Sequence, residues 1–259
     1  MFNRIRHWLE DRRIRRLGLT QSDWEAALAD WPVMERYQGA ERQALFDMVM
    51  RFMVRKQFLS GAGFPLTHAI CLRIATMACV PVLKLGLDWY DSWYTVIVYE
   101  TDFVPNRPWV SEDGVVHDTA PGLSGEAWDQ GPVIISWEAV LDAGVHHGHG
   151  HNVVIHEVTH KLDMLHDGAN GAPPLHPDMS AVAWHETFST VWETLQQDWE
   201  DGDRLPLDDY ALSSPAEFFA VCSEAFFESP RRLHRDLPDI YRLLQQFYRQ
   251  NPLAESNRH

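Results

Sequence analysis

The sequence predicts an α+β fold, mostly helical, with a small mixed sheet placed just ahead of one buried helix. Three observations predict it. Apolar residues recur at three- and four-residue spacing through several long stretches, the mark of amphipathic helices. In the middle of the chain they give way to β-branched and aromatic runs broken by Pro and Gly, the mark of short strands. Directly after those strands the helical pattern resumes around Val153, Val154 and Ile155, with Leu162 and Leu165 following and Gly168 as a stop. The chain organises as a basic N-terminal arm, residues 1–20, and one domain, residues 21–259. The first part of that domain, 21–90, is helical; the second, 91–259, holds the sheet and the candidate site.

In order, Thr20-Gln-Ser-Asp-Trp24 offers N-cap residues for a short helix to about Trp31, where Pro32 interrupts. From Gly39 to Leu59 the positions Leu45, Met48, Val49, Phe52 and Met53 predict an amphipathic helix ended by Gly61-Ala-Gly63. Residues 67–80 predict a buried helix with Pro81 at its end. Trp93–Tyr99 is a strand. Residues 103–130 are loop with short strands such as Gly114–His117. Gly131–Trp137 is a strand, followed by a helical turn near Glu138–Leu141. Residues 181–199 return to helical spacing. Ser213-Ser-Pro-Ala-Glu217 opens a further helix, with Ser at the cap and Pro in the first turn. Pro230, Pro238 and the stretch Tyr241–Phe247 close the chain with one more helix.

Composition narrows the function. The net charge of −15 argues against direct nucleic-acid binding. Charge is uneven: residues 1–20 hold six Arg against Glu10 and Asp11, a balance of +4 that leaves −19 for the rest. With Ile5, Trp8, Leu9, Ile14 and Leu17 this start could lie on a membrane surface, but its acids and short length favour a solvated or loosely docked helix. No apolar run approaches a membrane span, and no signal-peptide pattern follows the basic start. Cys71, Cys79 and Cys222 are odd in number and lie in apolar settings, so they read as reduced and buried. These features point to the cytoplasm. The eleven Trp read as packing aromatics.

The chemistry is concentrated at His156-Glu157-Val158-Thr159-His160. On a helix, residues i and i+4 share a face one turn apart, so two imidazoles there can hold one Zn²⁺, and the Glu after the first His can act as general base on water. A catalytic zinc takes three protein ligands and keeps one position open. Glu217, in the first turns of a strongly signalled apolar helix, is the best third ligand; the competing reading is a capping glutamate that satisfies helix N–H groups. Glu224, two turns further along the same face, could be a ligand or an acid that orients an imidazole. Asp163, two turns beyond His156, has the same claim to that orienting role, and for both the alternative is a helix-pairing charge. Tyr210 lies seven residues before Glu217 and could donate a hydrogen bond to a developing oxyanion, or simply pack. The tract His146-His147-Gly-His149-Gly-His151 is metal-like in composition, but its glycines give no fixed register, and it reads as a loop into the helix.

Five blocks carry a family resemblance: Pro81-Val-Leu-Lys-Leu-Gly-Leu-Asp-Trp89, Gln130-Gly-Pro-Val-Ile135, Asn152-Val-Val-Ile-His-Glu-Val-Thr-His-Lys-Leu-Asp163, Asp209-Tyr-Ala-Leu-Ser-Ser-Pro-Ala-Glu-Phe-Phe-Ala-Val221 and Ser223-Glu-Ala-Phe-Phe227. Together, over roughly residues 40 to 253, they resemble the Mlc titration factor A family of bacterial zinc metallopeptidases, whose metal site is similar to that of the anthrax lethal factor catalytic domain. The resemblance implies a zincin-like, gluzincin-type domain with one Zn²⁺ per chain, held by His156, His160 and Glu217. It implies water activation by Glu157 and assistance from Tyr210. Asn152, Asp163 and Glu224 remain candidates, outside that implication, to stand around the ligands. It also implies a peptide substrate, aminopeptidase-like activity on small substrates, and binding of a glucose-repression regulator of the Mlc type. The His-rich tract and the Arg-rich start depart from the family pattern. Two other functions fit the residues: a regulatory protein that sequesters a repressor with little peptidase activity, and a zinc hydrolase of a non-peptide amide. The strand at Pro132–Trp137 is a candidate to hold an extended substrate by edge pairing.

Overall fold

The computed structural model describes residues 2–103, 109–110, 116–117, 123–128, 131–145 and 150–256. Over them the chain is α+β and mostly helical, with its small mixed sheet ahead of the His156–His160 helix, as the sequence predicts.

The helical first part comprises α1 (Phe2–Leu17), α2 (Gln21–Ala26), α3 (Gly39–Arg55) and α4 (His68–Val82). Helix α2 begins at a capping box: Asp23 N–H donates to the Thr20 hydroxyl at 3.2 Å, and Thr20 N–H donates to the Asp23 carboxylate at 2.8 Å. It stops well short of Trp31. The chain tightens through bonds from Leu28 N–H to Glu25 and from Trp31 N–H to Leu28, which turns the Trp31 ring into the core. Helix α4 runs two residues past the expected end at residue 80, because Pro81 lies inside it. Proline removes only its own N–H, and Leu83, Leu85 and Gly86 continue with bonds to Val80 and Val82; the chain leaves at Gly86, where φ is +95°.

The sheet holds β1 (Gln57–Ser60), β2 (Thr95–Tyr99), β5 (Gly125–Ala127) and β6 (Val133–Ser136), in the order β1-β2-β6-β5. A separate antiparallel pair joins β3 (Trp109–Val110) to β4 (Val116–His117). The first three strands of the larger sheet run parallel and β5 is antiparallel to β6. Strand β1 falls where helix is expected. It is short and mostly exposed, without the alternation that marks a strand. What sets it is Lys56 at the helix end. This side chain is buried, donates to the carbonyls of Tyr90 and Trp93, and lies 4.0 Å from the Trp93 ring centroid. That anchor turns the chain out of α3 and into register beside β2, and burial brings the ammonium pKa down to about 8. The strand at 133–136 is not an edge: it lies between β2 and β5 with all four residues buried, as its unbroken Val-Ile-Ile run requires. Among the described strands β5 is the edge on that side.

Helix α5 (Trp137–Val145) follows β6, and α6 (Val153–Asp163) carries the His pair. Then come α7 (Ala181–Glu200), α8 (Pro215–Glu228), α9 (Pro230–Asp236), α10 (Pro238–Tyr248) and α11 (Pro252–Ser256). The expected single C-terminal helix is thus three. Pro230, Pro238 and Pro252 each open a helix at a position where the missing N–H costs nothing. Helix α6 is central: Val154, Ile155, Val158 and Leu162 are buried among α4, α8, β5 and β6. The three cysteines are free and buried, as expected.

Candidate metal centre

Two local caps aim the site. Asn152 precedes α6, and its side-chain carbonyl accepts the N–H groups of Val154 and Ile155 at 3.1 Å each. From that start, His156 and His160 face α8. Ser214 caps α8, its hydroxyl accepting Glu217 N–H at 3.2 Å, so the Glu217 side chain is not consumed in capping. It reaches across to the imidazoles instead. Glu217 Oε2 lies 2.8 Å from His156 Nε2 and 3.3 Å from His160 Nε2, and the two Nε2 atoms are 3.1 Å apart.

This triangle has the dimensions of a metal site. Ligands at the N and O distances of tetrahedral zinc stand roughly 3.3–3.4 Å from one another, and the observed edges are that figure slightly contracted. The electrostatics agree. Burial opposes a charged imidazole at His156, yet Glu224, Glu217 and Glu157 together hold its pKa well above the usual range. Burial also opposes ionisation of Glu217, yet the two imidazoles hold its carboxyl far below the usual carboxylate range. Both shifts favour positive charge between His156 and Glu217, the position at which His156, His160 and Glu217 could hold a metal ion.

Behind the triangle the ring of His156 is fixed. Its Nδ1 lies 2.7 Å from Glu224 Oε1, so an Nδ1–H donated there leaves Nε2 as the lone-pair donor. The other Glu224 oxygen accepts Asn152 N–H at 2.5 Å. The Asn152 amide donates to Glu228 Oε1 at 2.6 Å, and the indole of Trp31 donates to that same oxygen at 3.0 Å. Glu224 and Asn152 thus stand behind the His156 ring, one bonded to it and the other bonded to Glu224. Asp163 is fully buried; one of its oxygens accepts Gly171 N–H at 2.7 Å, which pins the loop after α6, and its charge also acts on His160.

Glu157 is buried on the side of α6 toward β5, and its Oε2 has no hydrogen-bond partner. Burial pushes its carboxyl up to about 7 against the pull of the two imidazoles. Gly125 of β5 lies directly over it: a Cβ at that position would stand 2.4 Å from Glu157 Oε1. Tyr210 sits in the 3-10 turn Asp209–Leu212, whose cap is Asp208, and its ring centroid is 6.0 Å from that of His156. Burial and then the Glu217 and Glu157 carboxylates raise its phenol pKa.

Sequence reasoning missed Glu228, Trp31 and Gly125. Glu228 carried a faint signal, one turn beyond Glu224 on the same helix; the other two carried none. Of the His-rich tract, residues 146–149 lie outside the described residues. His151 is exposed, with its Nε2 3.4 Å from Asp208.

The model of the family described as glucose-regulated metallo-peptidase M90 matches residues 5–249. Among similar proteins, the Mlc titration factor A of Pectobacterium atrosepticum is 36% identical over 237 residues, which is 91% of this chain and 88% of that protein. The Mlc titration factor A of Klebsiella pneumoniae subsp. pneumoniae is 34% identical over 239 residues, 92% of this chain and 89% of its own. That of Yersinia enterocolitica is 34% identical over 240 residues, 92% and 88%. The match spans the N-terminal helices, the sheet and both site-bearing helices, and on that extent the chain belongs to the glucose-regulated M90 metallopeptidase family, alongside the Mlc titration factor A proteins.

Proposed function

We propose that this chain is a zinc-dependent peptidase, aminopeptidase-like on small substrates, that also regulates a glucose-repression transcription factor by binding it. The observation that carries the peptidase reading is the His156–His160–Glu217 triangle with the buried, unpartnered Glu157 oxygen beside it. One Zn²⁺ held by His156, His160 and Glu217 would supply Lewis acidity, polarising a peptide carbonyl and acidifying water.

The chain's own residues do the rest. Glu224 keeps the His156 Nε2 lone pair directed at the triangle. Glu157, as carboxylate, takes the proton of the attacking water and returns it to the leaving amine. Its raised pKa suits both halves of that cycle. Tyr210, kept protonated by its raised pKa, donates a hydrogen bond to the oxyanion. Strand β5 has one edge unpaired among the described strands and runs beside Glu157, so an extended peptide can pair there. The interior β6 takes no part in that pairing.

The regulatory half rests on the relatives' name. It also stands as a second reading, a repressor-sequestering protein with little peptidase activity of its own. One experiment separates them: zinc content, turnover of peptide and aminoacyl reporters, and pull-down of an Mlc-type repressor, for wild type, Glu157→Ala and His160→Ala. Glu157→Ala is expected to keep zinc and repressor while losing about 10²–10⁴-fold in turnover. His160→Ala is expected to lose zinc as well. Wild type that carries zinc but is no faster than Glu157→Ala would sink the peptidase reading and leave the binding one.

A further inference from the structure

Helix α1 is built partly inside out. The face it turns to the protein is largely ionic, although Ile14 packs against the core and Leu17 is half-buried. Glu10, only 6% exposed, accepts from Arg51 at 3.0 Å and from Arg55 at 2.8 Å. Arg6 reaches Asp88 at 3.2 Å, and Asp11 lies 3.2 Å from Arg51. These bonds fix the helix on α3 and on the turn that holds Asp88. The face it turns to solvent carries Ile5, Trp8 and Leu9, all exposed, Trp8 by 56%. Arg12, Arg13, Arg15 and Arg16 are exposed as well, and none has an ion-pair partner among the described residues. The Arg12 guanidinium stands 6.0 Å from the Trp8 ring. A surface helix ordinarily buries its apolar side chains and presents its charges. Here acids and arginines are spent on docking while a tryptophan and two aliphatics are left in water, an arrangement that marks a contact surface.

We infer that the outward face of α1 is a docking surface for an anionic lipid membrane. Charge complementarity selects the occupant. Four unpaired arginines gather on one helix of a chain whose net charge is −15, so an anionic surface attracts this face and repels the remainder, which sets the orientation. The apolar residues stand among the arginines rather than opposite them. That pattern suits shallow contact at the headgroup level, with Trp8 at the interface and the arginine stems lying along it. Tyr94, 66% exposed, lines the groove beside the helix together with Leu9, Glu10, Arg13 and Asp91. A single convex helix with no ion pairs waiting for fixed counterparts fits a laterally mobile planar surface better than the rigid relief of an acidic protein. The inference is independent of the metal centre.

The test is co-sedimentation of the full chain with phosphatidylcholine vesicles, with and without phosphatidylglycerol, at low and high salt. Arg12→Glu/Arg16→Glu and Trp8→Ser/Leu9→Ser leave the docking residues Arg6, Glu10 and Asp11 untouched, and unchanged thermal midpoints verify folding. Wild type is expected to sediment only with phosphatidylglycerol vesicles and to be released as salt shortens the range of its charges. The charge reversal is expected to lower partitioning at least about tenfold, and the serine pair to lower it several-fold. No binding to phosphatidylglycerol vesicles, equal binding to neutral ones, or full binding by either variant overturns the proposal. Binding to polyglutamate without vesicle binding also overturns it, and assigns the face to an acidic protein.

Discussion

Glu157 and Gly125 form a pair in which one residue's missing side chain makes room for the other's chemistry. The carboxylate lies between α6 and β5, and a Cβ at Gly125 would meet Glu157 Oε1 at 2.4 Å and Val153 Cγ2 at 2.7 Å. Both approaches are closer than atoms tolerate, and Gly125 has no positive φ, so space alone decides the outcome. Gly125→Ala is expected to push the Glu157 carboxylate aside while leaving His156, His160 and Glu217, which meet on the side of α6 toward α8, in place. Displacing a proton-transfer group by about 1 Å costs on the order of 10²-fold in rate. Steady-state kinetics on a peptide reporter should therefore show a fall in kcat of roughly 10–100-fold at unchanged zinc content. A Gly125→Ala protein with wild-type kcat would show that Glu157 works from a different position.

At the level of elements, the site depends on how α6 and α8 begin, and this is also where the sequence was most readable. The histidines at 156 and 160 declare a helix face by their spacing. The run Ser213-Ser-Pro-Ala-Glu217 declares a helix start, and both helices form where those signals place them. Capping and periodicity act within a few residues, so one sequence suffices to read them. Strand β1 and the order of the sheet were not readable, since they depend on Lys56 finding carbonyls 34 and 37 residues away. Nor was the buffer behind His156, in which Glu228 joins Asn152 to a Trp31 lying 197 residues distant. One oxygen of Asp163 is likewise met by a loop N–H, that of Gly171, which no helix-face pattern announces. Asn152 is where the local and distant effects meet, capping α6 and donating to Glu228. Asn152→Ala removes the one cap acceptor of two N–H groups and leaves the part-buried Glu228 carboxylate short of a donor. The expected loss is about 2–4 kcal/mol of stability, read by urea unfolding. Zinc affinity should fall by about 10–100-fold, read by competition with a chromophoric chelator. A variant with lost stability and intact zinc affinity would confine Asn152 to the helix cap.

Across the whole molecule, the candidate metal site joins segments that the chain keeps 61 residues apart. Without a cation, the positive charge between α6 and α8 rests on a protonated His156 facing Glu217 and Glu224. The raised pKa of His156 states the sign. A group with a folded pKa above its unfolded value stabilises the fold fully below the unfolded value and loses that contribution as pH rises through the folded one. The metal-free protein should therefore weaken as pH rises. Zinc binding moves the other way, because its ligands must be deprotonated. At zinc a thousandfold above its Kd, mass action adds about 4 kcal/mol. For a chain of this size that corresponds to a thermal midpoint roughly 10 °C higher than in chelator. The difference between zinc-loaded and chelated midpoints is expected to widen from about pH 6 to about pH 8. Glu217→Gln should shrink it sharply at every pH, because the amide oxygen is a far poorer ligand than a carboxylate. Scanning calorimetry of wild type and Glu217→Gln, each with zinc and with chelator, measures all of this. A zinc effect on the midpoint that persists undiminished in Glu217→Gln would place the stabilising ion somewhere other than between α6 and α8.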